Sequence, residues 1–332
     1  MKILLYIENN DKLNKTGIGT AISHQKKALE LNKIEYTTNP LDDYDILHVN
    51  NYTPKTYLFM KKAKEQGKKI VCHAHFIQEY YNNSFSFSNK VAPIIKKWLI
   101  RCYNLADYII TPTPYSKEKL ESYGIKKPII AISNGIDLKE YEYDKKIGDQ
   151  FREHLGFESK DKIIISVGAF YERKGILDFI DIAKKLPEYK FIWFGHIPLM
   201  IPGKVKKALK TGLDNLFFPG YVEPELLKGA YFGADLFLFP SYDEVEGIVV
   251  LEALASTQRL LIRDIPVYND WLEDGKNVYK AKDIEEFIIK TRDIINYELK
   301  NVTKEGYKVA EDRNLKKIGK QILKVYKEVL KK

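Results

Sequence analysis

Two glutamates, Glu244 and Glu252, lie eight residues apart in FPSYDEVEGIVVLEALA, residues 239–255. A strand-like run ends at Pro240, an acidic loop follows, and a helical pattern opens at Gly247 and Ile248. The first amide N–H groups of a helix lack intrahelical partners and carry partial positive charge, so Gly247 and Ile248 suit a diphosphate. On that geometry Glu252 would accept hydrogen bonds from ribose hydroxyls, and Glu244 would grip sugar hydroxyls beside the phosphate. An acidic helix start that only complements the dipole would carry the same residues. A second strand-to-helix loop, Val167-Gly-Ala-Phe-Tyr-Glu-Arg-Lys-Gly175, places Arg173 and Lys174 just before a helix. Two cations there make an anion site, again fitting a diphosphate, unless the loop is simply solvated.

Three weaker signals lie in the first half. Thr16-Gly-Ile-Gly-Thr20 follows the first apolar run and opens a helix. Gly17 and Gly19 allow backbone N–H groups close to phosphate oxygens, although a helix-capping turn explains them as well. The full three-glycine dinucleotide fingerprint is missing. His73 and His75 end the strand-like run from Lys69 and, at i and i+2, share one side. No third metal ligand is placed, so a histidine that hydrogen-bonds a substrate hydroxyl fits better than a metal pair. Ser133-Asn-Gly-Ile-Asp137 carries turn chemistry after the last strand of the first half.

These residues need elements to hold them. Apolar β-branched runs are expected as strands at 2–7, 45–49, 69–75, 108–113 and 128–133, and in a second series at 162–169, 190–194, 215–218, 236–240 and 259–264. Amphipathic stretches at 18–31, 54–66, 175–186 and 247–256 separate them. Alternation of this kind predicts an α/β chain with two doubly wound parallel sheets facing a cleft, and ligands at strand carboxyl ends. Residues 138–160 are polar and strandless, so the boundary is set at 145: a first domain over 1–145 and a second over 146–314. In the last helix Leu315, Ile318, Ile322, Val325 and Val329 form one apolar stripe, expected to pack back on the first domain.

Composition narrows the class. The chain has 332 residues, 45% of them hydrophobic, which is globular and suits about two domains. Two cysteines, Cys72 and Cys102, cannot build a disulfide framework, as expected of a reducing compartment. Five apolar residues after Lys2 are too few for a secretory core, and no run approaches a membrane span of roughly 20 residues. The net charge is +9, and 14 basic against 5 acidic side chains between Asn50 and Gly135 account for all of it. That excess points to an anionic surface, either nucleic acid or a lipid leaflet, or to a plain Lys-rich solvated surface. Over 90–103 the cations Lys90, Lys96, Lys97 and Arg101 flank an apolar face of Val91, Ile94, Ile95, Trp98, Leu99 and Cys102. Such a helix can lie in a lipid interface or pack on a sheet. A nucleic-acid binder would interleave its cations with exposed aromatics, and that pattern does not stand out.

Taken together, the glycine loop, the strand-end histidine, Asn-Gly-Ile-Asp, Gly-x5-Lys-Gly and the paired glutamates resemble glycosyltransferase family 4. These are retaining nucleotide-sugar enzymes of GT-B architecture, and the resemblance spans essentially the whole chain. TGIGTAISHQKKALE, KKIVCHAHFIQEYYNNSF, FIWFGHIP and EVEGIVVLEALAS…RDIPVY are most similar to bacterial glycolipid synthases that add a second hexose to glucosyl-diacylglycerol. The resemblance implies that Glu244 contacts the donor sugar, Glu252 holds the ribose and Lys174 binds the diphosphate. It also implies that Gly17 and Gly19 cover the phosphates and His75 contacts sugar. UDP-glucose is the implied donor and monoglucosyl-diacylglycerol the acceptor, with UDP-galactose the alternative. The implied chain is peripheral on the cytoplasmic membrane face, holds no tight cofactor and is at most assisted by Mg²⁺. Two positions depart from the family pattern. Ala169 stands where arginine is frequent, which makes Arg173 the candidate replacement. Glu244-Val-Glu-Gly247 stands for Glu-Gly-Phe-Gly, and only Glu244, not Glu246, has the spacing to Glu252.

Overall fold

The structure, a computed structural model, describes residues 1–8, 16–81, 88–197 and 201–331. Asn82 to Phe87 and Pro198, parts of the segments singled out above, lie outside the described residues. The chain divides into two compact units, Met1–Tyr81 with Asn89–Asp137 and Arg313–Lys332, and residues 138–312.

The first unit runs β1 (Ile3–Tyr6), α1 (Gly17–Leu31), β2 (Tyr36–Thr37), β3 (Ile46–Val49), α2 (Pro54–Glu65), β4 (Lys69–His73), α3 (Ser88–Tyr103), β5 (Tyr108–Thr111), α4 (Pro114–Ser122) and β6 (Ile129–Ala131). Its sheet has the order β2-β1-β3-β4-β5-β6, with every pair parallel. Helix starts follow from local chemistry. Thr53 and Thr113 each cap through a side-chain oxygen, and a proline at the next position supplies a preset φ without needing a donor.

The second unit runs α5 (Lys145–His154), β7 (Ile163–Val167), α6 (Ile176–Lys185), β8 (Lys190–Phe194), α7 (Gly203–Ala208), β9 (Leu216–Gly220), α8 (Pro224–Gly233), β10 (Leu236–Phe239), α9 (Ile248–Ala255), β11 (Leu260–Arg263), β12 (Tyr279–Ala281), α10 (Ile284–Ile295) and α11 (Thr303–Asp312). Its parallel sheet has the order β12-β11-β10-β7-β8-β9, so the direction of winding reverses between β7 and β10. A reversal of this kind parts the two following connections and is where ligands bind in open α/β sheets. Phe179, Phe191 and Trp193 pack edge-to-face in the core on one side of this sheet.

The last helix, α12 (Leu315–Lys331), belongs to the first unit and packs on α1 and β4. Its five stripe residues are all buried, and most of them join Ile3, Ile46, Val71 and Ile110 in one core. Each such side chain removed from water stabilises by roughly 1.5–3 kcal/mol.

The structure corrects several expectations. The division falls at 137/138, at the head of the polar stretch in which the junction was expected, and the 3₁₀ turn Leu138–Tyr141 sets Tyr141 edge-on against Tyr231 of the second unit, at 5.9 Å. Two edge strands, β2 and β12, escaped the sequence reading because two and three residues carry no readable alternation. Most of the anticipated strands are a residue or two shorter. Gly19 lies inside α1, so only Gly17 stands at its opening. Among the described residues no helix is long and apolar enough to cross a membrane.

The α12–α1 contact rests on a missing side chain. A Cβ at Gly319 would fall on the Ala28 carbonyl and on the Asn32 amide, which itself donates to Ala28 O and Lys316 O. Gly319→Ala is therefore expected to lower unfolding stability by about 1–3 kcal/mol, the usual cost of overpacking, despite alanine's better helix propensity. Denaturant unfolding followed by circular dichroism measures it.

Candidate active site

The reversal point of the second sheet carries the charged residues. The chain leaves β7 through Gly168 and reaches a single 3₁₀ turn, Glu172–Lys174; it leaves β10 through Pro240 and Ser241. Gly175 joins the two, since at φ +79° it sits where a Cβ would strike the Pro240 carbonyl. The Tyr242 amide donates to Arg173 O at 2.8 Å, pinning one loop to the other.

Lys174 Nζ consequently meets Glu244 Oε1 at 2.5 Å, and the Ser241 hydroxyl donates to the same oxygen at 2.7 Å. Arg173 stands 4.0 Å from Glu244 and donates from Nη1 to Asp243 O at 2.6 Å. Glu244 is only 4% exposed. Burial pushes its pKa up, but Lys174, Arg173 and the hydrogen bonds from Lys174 and Ser241 outweigh it and hold the carboxyl below its ordinary value. The carboxylate is thus kept ionised in a site that would otherwise neutralise it. Arg173 is 2% exposed and directed at the loop, whereas the Lys174 side chain is 14% exposed. Lys174 is therefore the cation better able to reach a bound anion, and Arg173 acts mainly by its charge on Glu244.

Gly247, at φ +86°, precedes α9, and Glu252 lies one turn short of that helix's end. The Tyr231 hydroxyl donates to Glu252 Oε2 at 2.7 Å, and the Tyr141 hydroxyl is a second partner. Burial raises the Glu252 pKa, and these two hydrogen bonds oppose the rise. Glu246 is buried as well, yet Lys174 and Ser241 engage Glu244. Ser241, Tyr231 and Tyr141 were missed in the sequence. Ser241 lay within the motif without being assigned a role, while nothing in the spacing links Tyr231 or Tyr141 to Glu252.

In the first unit β4 ends at His73, and His75 follows it. The rings of His48, His73 and His75 stack in parallel, at 5.6 and 4.4 Å between centroids. Gln25 Nε2 donates to Asn50 Oδ1 at 2.8 Å and to His73 Nδ1 at 2.7 Å. His75 Nε2 pairs with Asn50 Oδ1 at 2.8 Å, and His48 Nδ1 with the Tyr326 hydroxyl at 2.6 Å. Because Asn50 Oδ1 only accepts, neutral His75 carries its proton on Nε2 and leaves Nδ1 as an acceptor. Burial lowers the pKa values of His48 and His75 to about 3, and that of His73 well below its ordinary value. Among the described residues no group of three or more His, Cys, Asp or Glu could hold a metal ion. Gly17 opens α1, where Thr16 Oγ1 accepts from Gly19 N at 3.3 Å.

The expected lipid-facing helix needs correction. In α3 the buried face is Ala92, Leu99, Cys102 and Tyr103, turned into its own unit. Trp98 donates its indole N–H to Tyr52 O at 2.6 Å and packs on Tyr57. The six-residue apolar face therefore does not point outward as one surface. Lys90, Lys97 and Arg101 remain exposed around Ile94, which is 68% exposed, while Lys96 lies 4.1 Å from the Tyr123 ring centroid.

Two doubly wound parallel units, one with a buried carboxylate and cations at its reversal point, have the architecture of the GT-B glycosyltransferases. Residues 148–309 match the family described as Glycosyl transferases group 1, and residues 24–140 match Glycosyltransferase Family 4. The chain is 43% identical to the processive diacylglycerol alpha-glucosyltransferase of Acholeplasma laidlawii, over 100% of this chain and 99% of that one. It is 30% identical over 243 residues to the alpha-galactosylglucosyldiacylglycerol synthase of Streptococcus pneumoniae, covering 71% of this chain and 65% of that one. The solved structure of Anabaena HepE in complex with UDP and glucose shares its fold, with TM-score 0.79 at 17% identity over 98% of this chain and 99% of that one. The chain belongs to the family 4 glycosyltransferases, with the GT-B fold.

Two outcomes test the roles that the resemblance implies for the two glutamates. Glu252→Ala is expected to weaken UDP binding by about 1–3 kcal/mol in calorimetry, because a buried ribose would lose its acceptor. Glu244→Gln should spare UDP affinity and cut turnover strongly, whereas a damaging Glu246→Gln beside a mild Glu244→Gln would show the register to be wrong. The histidine stack predicts acid lability. Its folded pKa values lie below the unfolded value near 6.5, so the unfolded chain binds more protons in between. Stability present above about pH 6.5 is lost as pH falls towards 3, by up to about 1.4 kcal/mol per unit for each histidine. His48→Gln should flatten this slope in urea titrations between pH 7 and 5.

Proposed function

We propose that the enzyme transfers glucose from UDP-glucose to the sugar hydroxyl of monoglucosyl-diacylglycerol, retaining the α configuration. The full-length identity with a diacylglycerol alpha-glucosyltransferase carries this reading. The second unit takes the nucleotide sugar and the first serves the acceptor and the membrane. The diphosphate would draw on Lys174 and on the N–H groups at Gly247 and Ile248, leaving Glu244 to the sugar hydroxyls. Among the described residues no second carboxylate is assigned as a covalent nucleophile, so a front-face displacement is favoured. The C1–O bond to the β-phosphate breaks with its electron pair leaving on UDP. The acceptor oxygen bonds to C1 on the same face, and its proton passes to the departing phosphate oxygen. Lys174 and the helix N–H groups stabilise the developing charge. This chemistry needs no tightly bound metal, and Mg²⁺ enters at most as an activator. UDP-galactose is the second donor reading, favoured by the likeness to a galactosyl-lipid synthase. Purified protein assayed with both UDP-sugars and glucosyl-diacylglycerol decides between them; transfer from neither refutes the proposal.

Membrane contact is proposed to be electrostatic, on the cytoplasmic face, through Lys90, Lys96, Lys97 and Arg101, with Ile94 outward. Each cation near an anionic leaflet contributes about 1 kcal/mol, weakened by salt. Replacing all four by Ser should abolish most salt-sensitive flotation with phosphatidylglycerol vesicles and leave UDP affinity intact. A quadruple variant that floats like the parent would move the docking surface elsewhere, for example to the Lys-rich stretch at 61–69.

A further inference from the structure

Behind the Lys174–Glu244 pair lies a second polar cluster that touches neither residue. Arg263, at the end of β11, is buried and spends its guanidinium on three partners. Nε donates to Pro240 O at 3.0 Å, Nη1 to Lys282 O at 2.9 Å, and Nη2 pairs with the Asp178 carboxylate. The Tyr242 hydroxyl donates to that same Asp178 oxygen at 2.7 Å. The Tyr242 ring lies over the guanidinium, its centroid 4.0 Å from Cζ, and Phe287 sits 5.2 Å away. Tyr242 is 51% exposed, yet its polar tip is turned inward and bonded. Its pKa is pushed up to about 12, by burial first and then by Asp178, so the hydroxyl stays a donor at any working pH.

The cluster closes on the active-site loops through the backbone. Arg263 holds the Pro240 carbonyl, Tyr242 N donates to Arg173 O, and Ser241 between them donates to Glu244. When Lys174 turns to a diphosphate, Glu244 gives up its closest cationic partner. Something other than Lys174 must then keep the carboxylate where a sugar hydroxyl can meet it, since small displacements in such a site cost large factors in rate. We propose that Arg263, Asp178 and Tyr242 form a clamp of positioning residues. The clamp holds the 240–242 turn against the 172–175 turn, so that Glu244 keeps its place after Lys174 has been recruited by the donor. Its kinetic consequence rests on the hexosyl-transfer reading above, whereas its mechanical consequence does not.

Tyr242 is the residue to test, since half its surface already faces solvent and its removal opens no core cavity. Full-length wild type, Tyr242→Ala and Tyr242→Phe are compared in steady-state transfer from UDP-glucose to glucosyl-diacylglycerol, and in amide hydrogen exchange of the free protein. Tyr242→Ala is expected to lower kcat about tenfold, with the donor KM within about twofold. Faster exchange should be confined to residues 172–175 and 240–247. Tyr242→Phe keeps the ring over Arg263 but loses the bond to Asp178, so its kcat and its exchange at the two loops should both fall between those of wild type and Tyr242→Ala. The clamp is overturned if Tyr242→Ala exchanges like wild type at both loops. It is also overturned if exchange there quickens while kcat stays within about twofold of wild type. If wild type transfers no hexose from UDP-glucose, the functional reading falls, and exchange at the two loops alone decides whether the clamp exists.

Discussion

In the ion pair between Lys174 and Glu244 the carboxylate is buried, and a buried charge is tolerated only when its partners are close and its remaining hydrogen bonds are met. Taking a carboxylate out of water costs several kcal/mol after relaxation, and the attraction to an ammonium recovers this only in good geometry. Much of the second unit follows from that constraint. The sheet reverses between β7 and β10, which brings two loops 70 residues apart in sequence to one place. Gly175 lets one loop lie against the Pro240 carbonyl of the other, and the Tyr242 amide fastens them. Ser241 and Arg173 supply the remaining donors and charge. Without these partners burial alone would push the Glu244 pKa up.

The first unit handles buried polarity in the opposite way. Its sheet ends carry three imidazoles kept neutral by burial, stacked on one another and tied to Gln25, Asn50 and Tyr326. Neutral groups can be packed at the end of an apolar sheet at the cost of hydrogen bonding alone, with no counter-charge. His75 is thereby held in a single tautomer, with Nδ1 left as an acceptor for a hydroxyl. One residue of this network, Tyr326, comes from α12, whose apolar stripe also completes the core. The final helix is thus part of the fold of this unit and part of what orients its polar end.

Apolar periodicity sufficed to place ten of the strands and six of the helices, because burial on two faces of a parallel sheet demands continuous β-branched runs, whereas α4, α5, α7, α8, α10 and α11 were not read. The loops at 168–175 and 241–247 were legible as charged strand-to-helix connections, although a solvated loop or a helix start that complements the dipole carries the same residues. The strands β2 and β12 were not, since two or three residues pair only because a neighbour's register allows it. The inward turn of Leu99 and Cys102 was equally invisible, because an amphipathic helix has the same pattern whether its partner is a sheet or a lipid. Nor does local spacing relate His48 to His73, Tyr231 to Glu252, or Arg263 to Asp178. Each pair joins residues 21 to 85 positions apart through contacts that strand order and helix packing create. Local sequence determined which residues could carry charge and where each element would form. Which charges lost their water, and therefore which carboxylate stays ionised and which histidines stay neutral, was decided by tertiary structure, because desolvation depends on every chain segment that closes over a group.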